Sequence, residues 1–305
     1  MSYNEEVICG HLVTSEVKKL WDVQLSCFDQ LKKICEKHGI KYFAGGGTLL
    51  GTVRHKGFIP WDDDMDFFMF QEDYDRFAEV APKEIKEPFF FQHYTTQKGY
   101  GTSISRIRRV DTTGCTQYEY DTVDESYCCG IFIDIFPLQY VADKKIPLSI
   151  QKLKVGFYRT CISGYGLRRQ IKNQHKISVS PYALISLLLG DFFSLFCSHA
   201  KLSALFLSAC NNGGKKSTRV GIVAFLGFKE KYIWPIEYWK ETIMLPFEDV
   251  MMCCPKKYDA VLRHQFGDYL KPVKGAAQHS VAIIDADTPY GEKLKEHFKE
   301  QQIRK

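Results

Sequence analysis

Four carboxylates, Asp62, Asp63, Asp64 and Asp66, fall within five positions of the stretch Gly57-Phe58-Ile59-Pro60-Trp61-Asp62-Asp63-Asp64-Met65-Asp66-Phe67-Phe68-Met69-Phe70. Like charges this close repel one another, and burial beside phenylalanines adds a desolvation cost. A fold tolerates the arrangement when a cation neutralises it. Alternate side chains of a β-strand share a face, so a strand beginning at Met65 is expected to present Asp64 and Asp66 together while Met65 and Phe67 enter the core. An all-oxygen donor set suits a hard cation, Mg²⁺ or Mn²⁺, bound by one or two carboxylates plus substrate phosphates. The competing reading, a solvated acidic turn, fits poorly with the Phe-Phe-Met-Phe run that follows.

The elements around this stretch are expected to aim it. Val17, Leu20, Trp21, Leu25, Phe28, Leu31, Ile34 and Cys35 recur at helical spacing and predict an amphipathic helix from Thr14 to His38, capped by Thr14 or Ser15 and ended by Gly39. A short strand, Ile40 to Ala44, then meets Gly45-Gly46-Gly47-Thr48. Glycines at a strand-to-helix turn leave backbone N–H groups pointing outward, the arrangement that cradles phosphate. Alone such a turn is ordinary; the carboxylates that follow within twenty residues give it weight. Arg54, His55 and Lys56 add cationic groups just ahead of the acidic segment. A helix is expected from Glu72 to Val80, and strands at Phe89–His93, Thr102–Arg108 and Gly130–Leu138. In the last strand Asp134 sits alone in a fully apolar run, Ile131-Phe132-Ile133-Asp134-Ile135-Phe136. Buried aspartates are seldom unpaired, so Asp134 is either a hydrogen-bonded structural residue or a third carboxylate of the same site.

Bulk properties narrow the class. The chain has 305 residues, 45% hydrophobic and 25% charged, as expected of a globular protein in one large or two modest domains. Its net charge of +5 is mild. Local clusters (Arg106, Arg108, Arg109; Arg168, Arg169, Lys172, Lys176; Lys215, Lys216, Arg219) suit an anionic substrate or an acidic membrane surface, and no dense stripe of the kind that binds nucleic acid is present. Eleven cysteines include the adjacent pairs Cys128-Cys129 and Cys253-Cys254 but no CxxC pair or Cys/His ladder, and the first residues lack the build of a signal peptide. Reduced thiols in a cytoplasmic enzyme are expected, most of them small core hydrophobes.

The motifs Gly46-Gly47-Thr48-Leu49-Leu50-Gly51 and Val53-Arg54-His55-Lys56-Gly57-Phe58-Ile59-Pro60-Trp61-Asp62-Asp63-Asp64-Met65-Asp66 resemble the signature of the LicD/fukutin-related family. Ile107-Arg108 with Thr112-Thr113, Gly130 to Leu138, and Gln265-Phe266-Gly267-Asp268-Tyr269 followed by Pro272 and His279 match the family pattern in order, so the resemblance spans roughly Leu20 to Ser280. It implies a nucleotidyltransferase fold of the DNA polymerase β type, an α/β (α+β) mixed sheet flanked by helices. It also implies transfer of a phospho-alcohol, such as phosphocholine or ribitol phosphate, from a CDP-linked or CMP-linked donor to a sugar hydroxyl of a cell-surface glycan or its lipid-linked precursor. By position, Asp64 and Asp66 become the paired ligands of Mg²⁺ or Mn²⁺, Asp134 the third carboxylate, and Gly46, Gly47 and Thr48 the phosphate turn. The expected organisation is a catalytic core over residues 1–143 and a mainly helical region over residues 144–305 that completes the substrate site.

In that chemistry the metal offsets phosphate charge, and Asp134 takes the acceptor proton, with Asp62 or Asp63 as alternatives. Arg54 and Arg108 are expected pyrophosphate contacts, because a guanidinium bridges two oxygens; surface salt bridges are the competing reading for each. His55 and His279 are weaker candidates. Residues 181–210 are unusually apolar, interrupted by Asp191, His199 and Lys201. A buried helical pair is expected there, with peripheral contact at the inner face of the cell membrane as the other reading. Two further function classes compete: a true nucleotidyltransferase that moves NMP from NTP, and a non-catalytic nucleotide-binding module.

Overall fold

The computed structural model describes residues 3–100, 104–174, 180–273 and 281–303. A hairpin of β1 (Glu6–Ile8) and β2 (His11–Val13) leads into α1 (Ser15–His38). Then come β3 (Phe43–Ala44), α2 (Gly46–Arg54), β4 (Asp66–Phe70), α3 (Gln71–Glu84), β5 (Phe89–Gln92), β6 (Ser105–Arg109), β7 (Thr113–Thr116), α4 (Gln117–Thr122) and β8 (Ile131–Val141). The second half supplies α5 (Lys145–Gln174), α6 (Pro181–Ser194), α7 (His199–Cys210), β9 (Arg219–Gly221), α8 (Val223–Leu226), β10 (Ile233–Pro235), β11 (Thr242–Phe247) and β12 (Val250–Pro255). It closes with α9 (Tyr258–Phe266), β13 (Val281–Asp285), α10 (Tyr290–Lys293) and α11 (Lys295–Ile303).

β8 is the axis. Every one of its residues is buried, as a near-continuous apolar run requires of a strand covered on both faces. One edge pairs in parallel with β4, which in turn pairs with β3. The other edge takes antiparallel β6 along residues 131–135 and antiparallel β9 along residues 139–141, with β5 beyond β6 and β10 beyond β9. The result is a seven-stranded mixed sheet within a mixed α/β architecture. α1 covers one face, where Phe28 stacks on Phe67 with ring centroids 5.0 Å apart. The helix starts where Thr14 Oγ1 accepts from Val17 N and stops at Gly39, whose φ of 60° ends the helix at no Cβ cost.

Several expectations change. The strand begins at Asp66, so Asp64 lies in the extended segment before it, and Asp64 and Asp66 are not two positions of one strand. The segment after residue 143 is mainly helical, but it does not stand apart from the first half: it contributes β9 and β10 to the central sheet, the β11–β12 hairpin, and β13, which pairs with β7. Residue 143 therefore marks no structural boundary. Of the apolar pair at 181–210, α7 is buried through Leu202, Phe206 and Leu207, but α6 leaves most of its large apolar side chains in solvent. α5 and α6 touch through Gly164 and Gly190, where a Cβ on either would meet backbone of the other helix.

Candidate active site

Register decides which side chains meet. Asp66 of β4 lies opposite Asp134 of β8, which lies opposite Arg106 of β6, so the three form one row across the sheet. Cross-strand neighbours share a face, and this face is the one opposite Phe67 and α1. Phe68 and Phe136 form the next row on the same side.

A cavity of about 410 Å³ opens there, within the range of small-ligand sites. Its acidic wall is Asp62, Asp64 and Asp66; its floor is Gly46 and Gly47 at the start of α2. The opposite wall comes from α8 and the C-terminal region, including Phe225, Tyr232, Tyr269 and Lys271. α2 has no side-chain cap at Gly45, and Gly46 and Gly47 of its first turn line the cavity at the positive end of the helix dipole. A Cβ on Gly47 would come within 3.0 Å of Asp62 Oδ2, and one on Gly46 within 3.0 Å of Asp66 Oδ2; Gly46 also has φ 46°. Only glycine lets these carboxylates sit against the turn.

Buried polar side chains hold the acidic segment. Trp21 Nε1 donates to Asp62 O at 3.1 Å, and Gln24 Nε2 donates to Asp63 O at 2.7 Å. Asp66 N donates to Thr48 Oγ1 at 2.7 Å, and Gly45 N donates to Asp66 O at 3.0 Å. From the far side, Glu248 Oε1 accepts from Phe58 N at 3.1 Å, and Phe58 stacks on Trp21 with centroids 4.7 Å apart. The sequence pattern placed Thr48 among the phosphate contacts. Its hydroxyl oxygen instead accepts from the Asp66 backbone, and the residue does not line the cavity.

The carboxylate oxygens of Asp62, Asp63 and Asp64 lie within 4.8 Å of one another, close enough for one cation. Asp63 faces a small space of about 10 Å³ beside Gln24 and Phe132, whereas Asp64 borders both that space and the main cavity. Asp134 is 1% exposed and lines neither. Arg106 Nε donates to its Oδ1 at 2.7 Å, while its Oδ2 is buried with no hydrogen-bond partner. The expected trio of Asp64, Asp66 and Asp134 is thus only partly assembled: Asp134 shares the row of Asp66 but is already paired with a guanidinium, and Asp62 stands where a third carboxylate was expected.

Arg108 is a correction. It is 0% exposed, donates to Gln92 Oε1 at 2.6 Å and to Gly130 O at 2.6 Å, and pairs with Glu119. Its charge is spent inside the protein, so it has no reach to a pyrophosphate. Arg54 does line the cavity; its Nη1 donates to Tyr269 O at 2.9 Å and ties α2 to the C-terminal wall. His55 is held below the usual histidine range by partial burial and by the neighbouring Arg54. His279 lies outside the described residues. Arg106, expected in a basic cluster for an anionic ligand, is instead paired inside the protein with Asp134 and with Glu119, a residue no sequence pattern marked: Glu119 Oε1 accepts from Arg106 Nη1 at 2.8 Å. The one signal was Arg106 and Arg108 flanking Ile107, since alternate strand residues share a face. The aromatic wall at Phe225 and Tyr232 carried no motif at all.

A mixed α/β sheet bearing an acidic, glycine-floored pocket is the arrangement found here, and residues 39–147 match the LicD/FKTN/FKRP nucleotidyltransferase domain. The chain is 48% identical over 251 residues to the lipopolysaccharide cholinephosphotransferase LicD of Haemophilus influenzae, covering 82% of this chain and 89% of that relative. It therefore belongs to the LicD family. An uncharacterized protein of Rickettsia prowazekii is 40% identical over 94 residues, 30% of this chain and 31% of the relative. Human ribitol 5-phosphate transferase FKRP is 45% identical over 40 residues, 13% of this chain and 8% of that protein.

Proposed function

We propose that the chain is a transferase that moves phosphocholine from CDP-choline to a sugar hydroxyl of a cell-surface glycan or its lipid-linked precursor, with release of CMP. The observation that carries this reading is the pocket, which sets three carboxylates and a helix N-terminus against an aromatic wall. The likeness to a cholinephosphotransferase over most of both chains supports it. We read the sheet as a nucleotidyltransferase-type fold, in keeping with the matched domain.

The residues divide the work. Gly46 and Gly47 offer backbone N–H groups to the donor's phosphates, and Arg54 adds charge on the same side. Asp62, Asp64 and Asp66 suit a hard divalent cation: all three give oxygen donors to one cavity, Asp62 and Asp64 lie within 4.8 Å of each other, and Asp62 and Asp66 press against adjacent glycines. Mg²⁺ or Mn²⁺ bound there would offset charge on the pyrophosphate as the bond to CMP breaks. Asp62, half-buried at the cavity wall, is the better-placed acceptor for the proton of the attacking hydroxyl. Asp134, sealed beneath the pocket, positions the row through Arg106. The choline end fits Trp61, Phe68, Phe136, Phe225 and Tyr232, since a quaternary ammonium is attracted to aromatic faces and needs no hydrogen bond.

The direct test is incubation of the purified chain with Mg²⁺ and CDP-choline, CDP-ribitol, CTP or ATP. Release of CMP from CDP-choline is expected. Pyrophosphate from CTP or ATP, or no Mg²⁺-dependent nucleotide binding at all, would reject the reading in favour of nucleotidyl transfer or a binding module. Two variants refine it. Gly47→Ala should displace the flexible end of Asp62 and weaken Mn²⁺ binding by roughly tenfold, with little change in melting temperature. Phe225→Ala should raise KM for CDP-choline by roughly 5- to 30-fold, for a loss of about 1–2 kcal/mol of cation–π and apolar contact. A KM unchanged for CDP-choline would take Phe225 out of the choline subsite.

A further inference from the structure

The helices inserted between β8 and β9 expose apolar side chains in an ordered way. On α6 and the turn after it, Ile185, Leu188, Phe192, Leu195 and Phe196 are 53%, 62%, 55%, 76% and 70% exposed. On α5, Ile146, Ile150, Leu153 and Phe157 recur at i, i+4, i+7 and i+11, one helix face, and all four are exposed. Phe157 meets Phe193 edge-on with centroids 5.5 Å apart, which joins the two stripes into one surface. A continuous exposed patch of this size marks an interaction site.

Charge identifies the partner. Between Lys145 and Cys210 the sequence holds nine Lys and Arg and a single carboxylate, Asp191, although the whole chain is only +5. Arg168 pairs with Asp191 at the surface, so that one negative charge is already compensated. A second copy would set the exposed Lys145, Lys152 and Lys154 against their own counterparts and be repelled; an anionic lipid surface complements them. The shape also suits a bilayer. α6 has 14 residues, about 21 Å of helix, short of a hydrocarbon core of about 30 Å. No single described helix is long and apolar enough to cross, and α6 and α7 bend by 114° at their junction.

We infer that the α5–α6 face is a membrane-docking surface that lies flat on anionic lipid, with Leu195 and Phe196 inserted at the acyl boundary and the exposed Lys145, Lys152 and Lys154 at the headgroups. The surface is coupled to the pocket: Arg159 Nη2 donates to Val223 O at 3.0 Å and Ala224 O at 3.1 Å, which holds α8 with its pocket residues Phe225 and Leu226. Docking would therefore bring the pocket to a membrane-bound acceptor. The inference does not depend on which group is transferred.

The test is co-sedimentation of the full chain with vesicles of phosphatidylcholine alone and of phosphatidylcholine with phosphatidylglycerol, without substrate. Binding to the anionic vesicles only, weakened by salt, is expected. The double variant Leu195→Asp, Phe196→Asp should need roughly tenfold or more lipid for half-binding. Both positions are mostly exposed, so its melting temperature should match wild type. Failure of the wild type to bind anionic vesicles at low salt overturns the inference, as does binding that the double variant leaves intact. A dimer in sedimentation velocity that the double variant dissociates, without vesicle binding, overturns it in favour of a second copy.

Discussion

Asp66→Asn is expected to lose well over about 10²-fold in kcat while keeping its melting temperature. Outer-shell partners of a metal site already cost 10- to 100-fold when removed, and a carboxylate that holds the ion directly should cost more. Stability is spared because the loss removes one of several crowded negative charges. Asp66 sits beside Asp62 and Asp64 against the glycine turn, and relief of that repulsion offsets the lost contacts. Its backbone bonds to Thr48 Oγ1 and Gly45 N are untouched by the substitution. Asp64→Asn should behave alike. The measurements are single-turnover CMP release over a Mg²⁺ series and thermal melting on one preparation. Near-wild-type turnover at saturating Mg²⁺ in either variant would remove that residue from the metal site.

Arg106→Gln should act oppositely, with a loss of roughly 3–5 kcal/mol in stability, because it strips the partner from buried carboxylates. Arg106 is 7% exposed, bridges Asp134 at 2.7 Å and Glu119 at 2.8 Å, and lies over the Phe132 ring at 3.9 Å. Asp134 has no other side-chain partner in an ion pair among the described residues. Activity per folded molecule should fall too, since Asp66 is Asp134's neighbour across the ladder. The same network predicts an acid limit. Burial pushes the Glu119 carboxyl up, but Arg108 and Arg106 beside it pull it further down, so it ends below its ordinary value of 4.5. A depressed carboxyl contributes stability above its unfolded value and loses it as pH falls through the folded one. Wild type should therefore weaken progressively below about pH 4.5, and Glu119→Gln should be less stable at neutral pH with a flatter acid limb. Denaturant titrations at pH 7 and pH 4 compare the two; parallel acid limbs would show that the ion pairs do not set acid stability.

Asp134→Asn separates the remaining roles. With Arg106 still paired to Glu119, the variant should keep donor binding and lose turnover, by roughly 10²-fold if the row aims the site. A lowered melting temperature with normal activity per folded molecule would make Asp134 purely structural.

What the sequence by itself determined is local in origin. The acidic segment, the glycine turn and the lone Asp134 were legible because each is a departure from what a short stretch of chain does for stability: crowded like charges, missing side chains, a carboxylate in an apolar run. α1 was legible with its caps because helix period and capping are properties of neighbouring residues. Tertiary structure alone decided the rest. Whether Arg106 or Arg108 meets Asp134 depends on the register of β6 against β8, and Glu119 reaches both arginines only because α4 packs over that face. Strands as short as β9 and β10 form because β8 offers a free edge, which no local pattern records. Arg54 and Arg108 look alike in sequence, yet one borders the cavity and the other is sealed from it. α6 is apolar enough to be core, and only the packing of α5, α6 and α7 leaves its stripe in solvent. Composition fixes what a residue can do; the pairing of distant segments fixes what it meets.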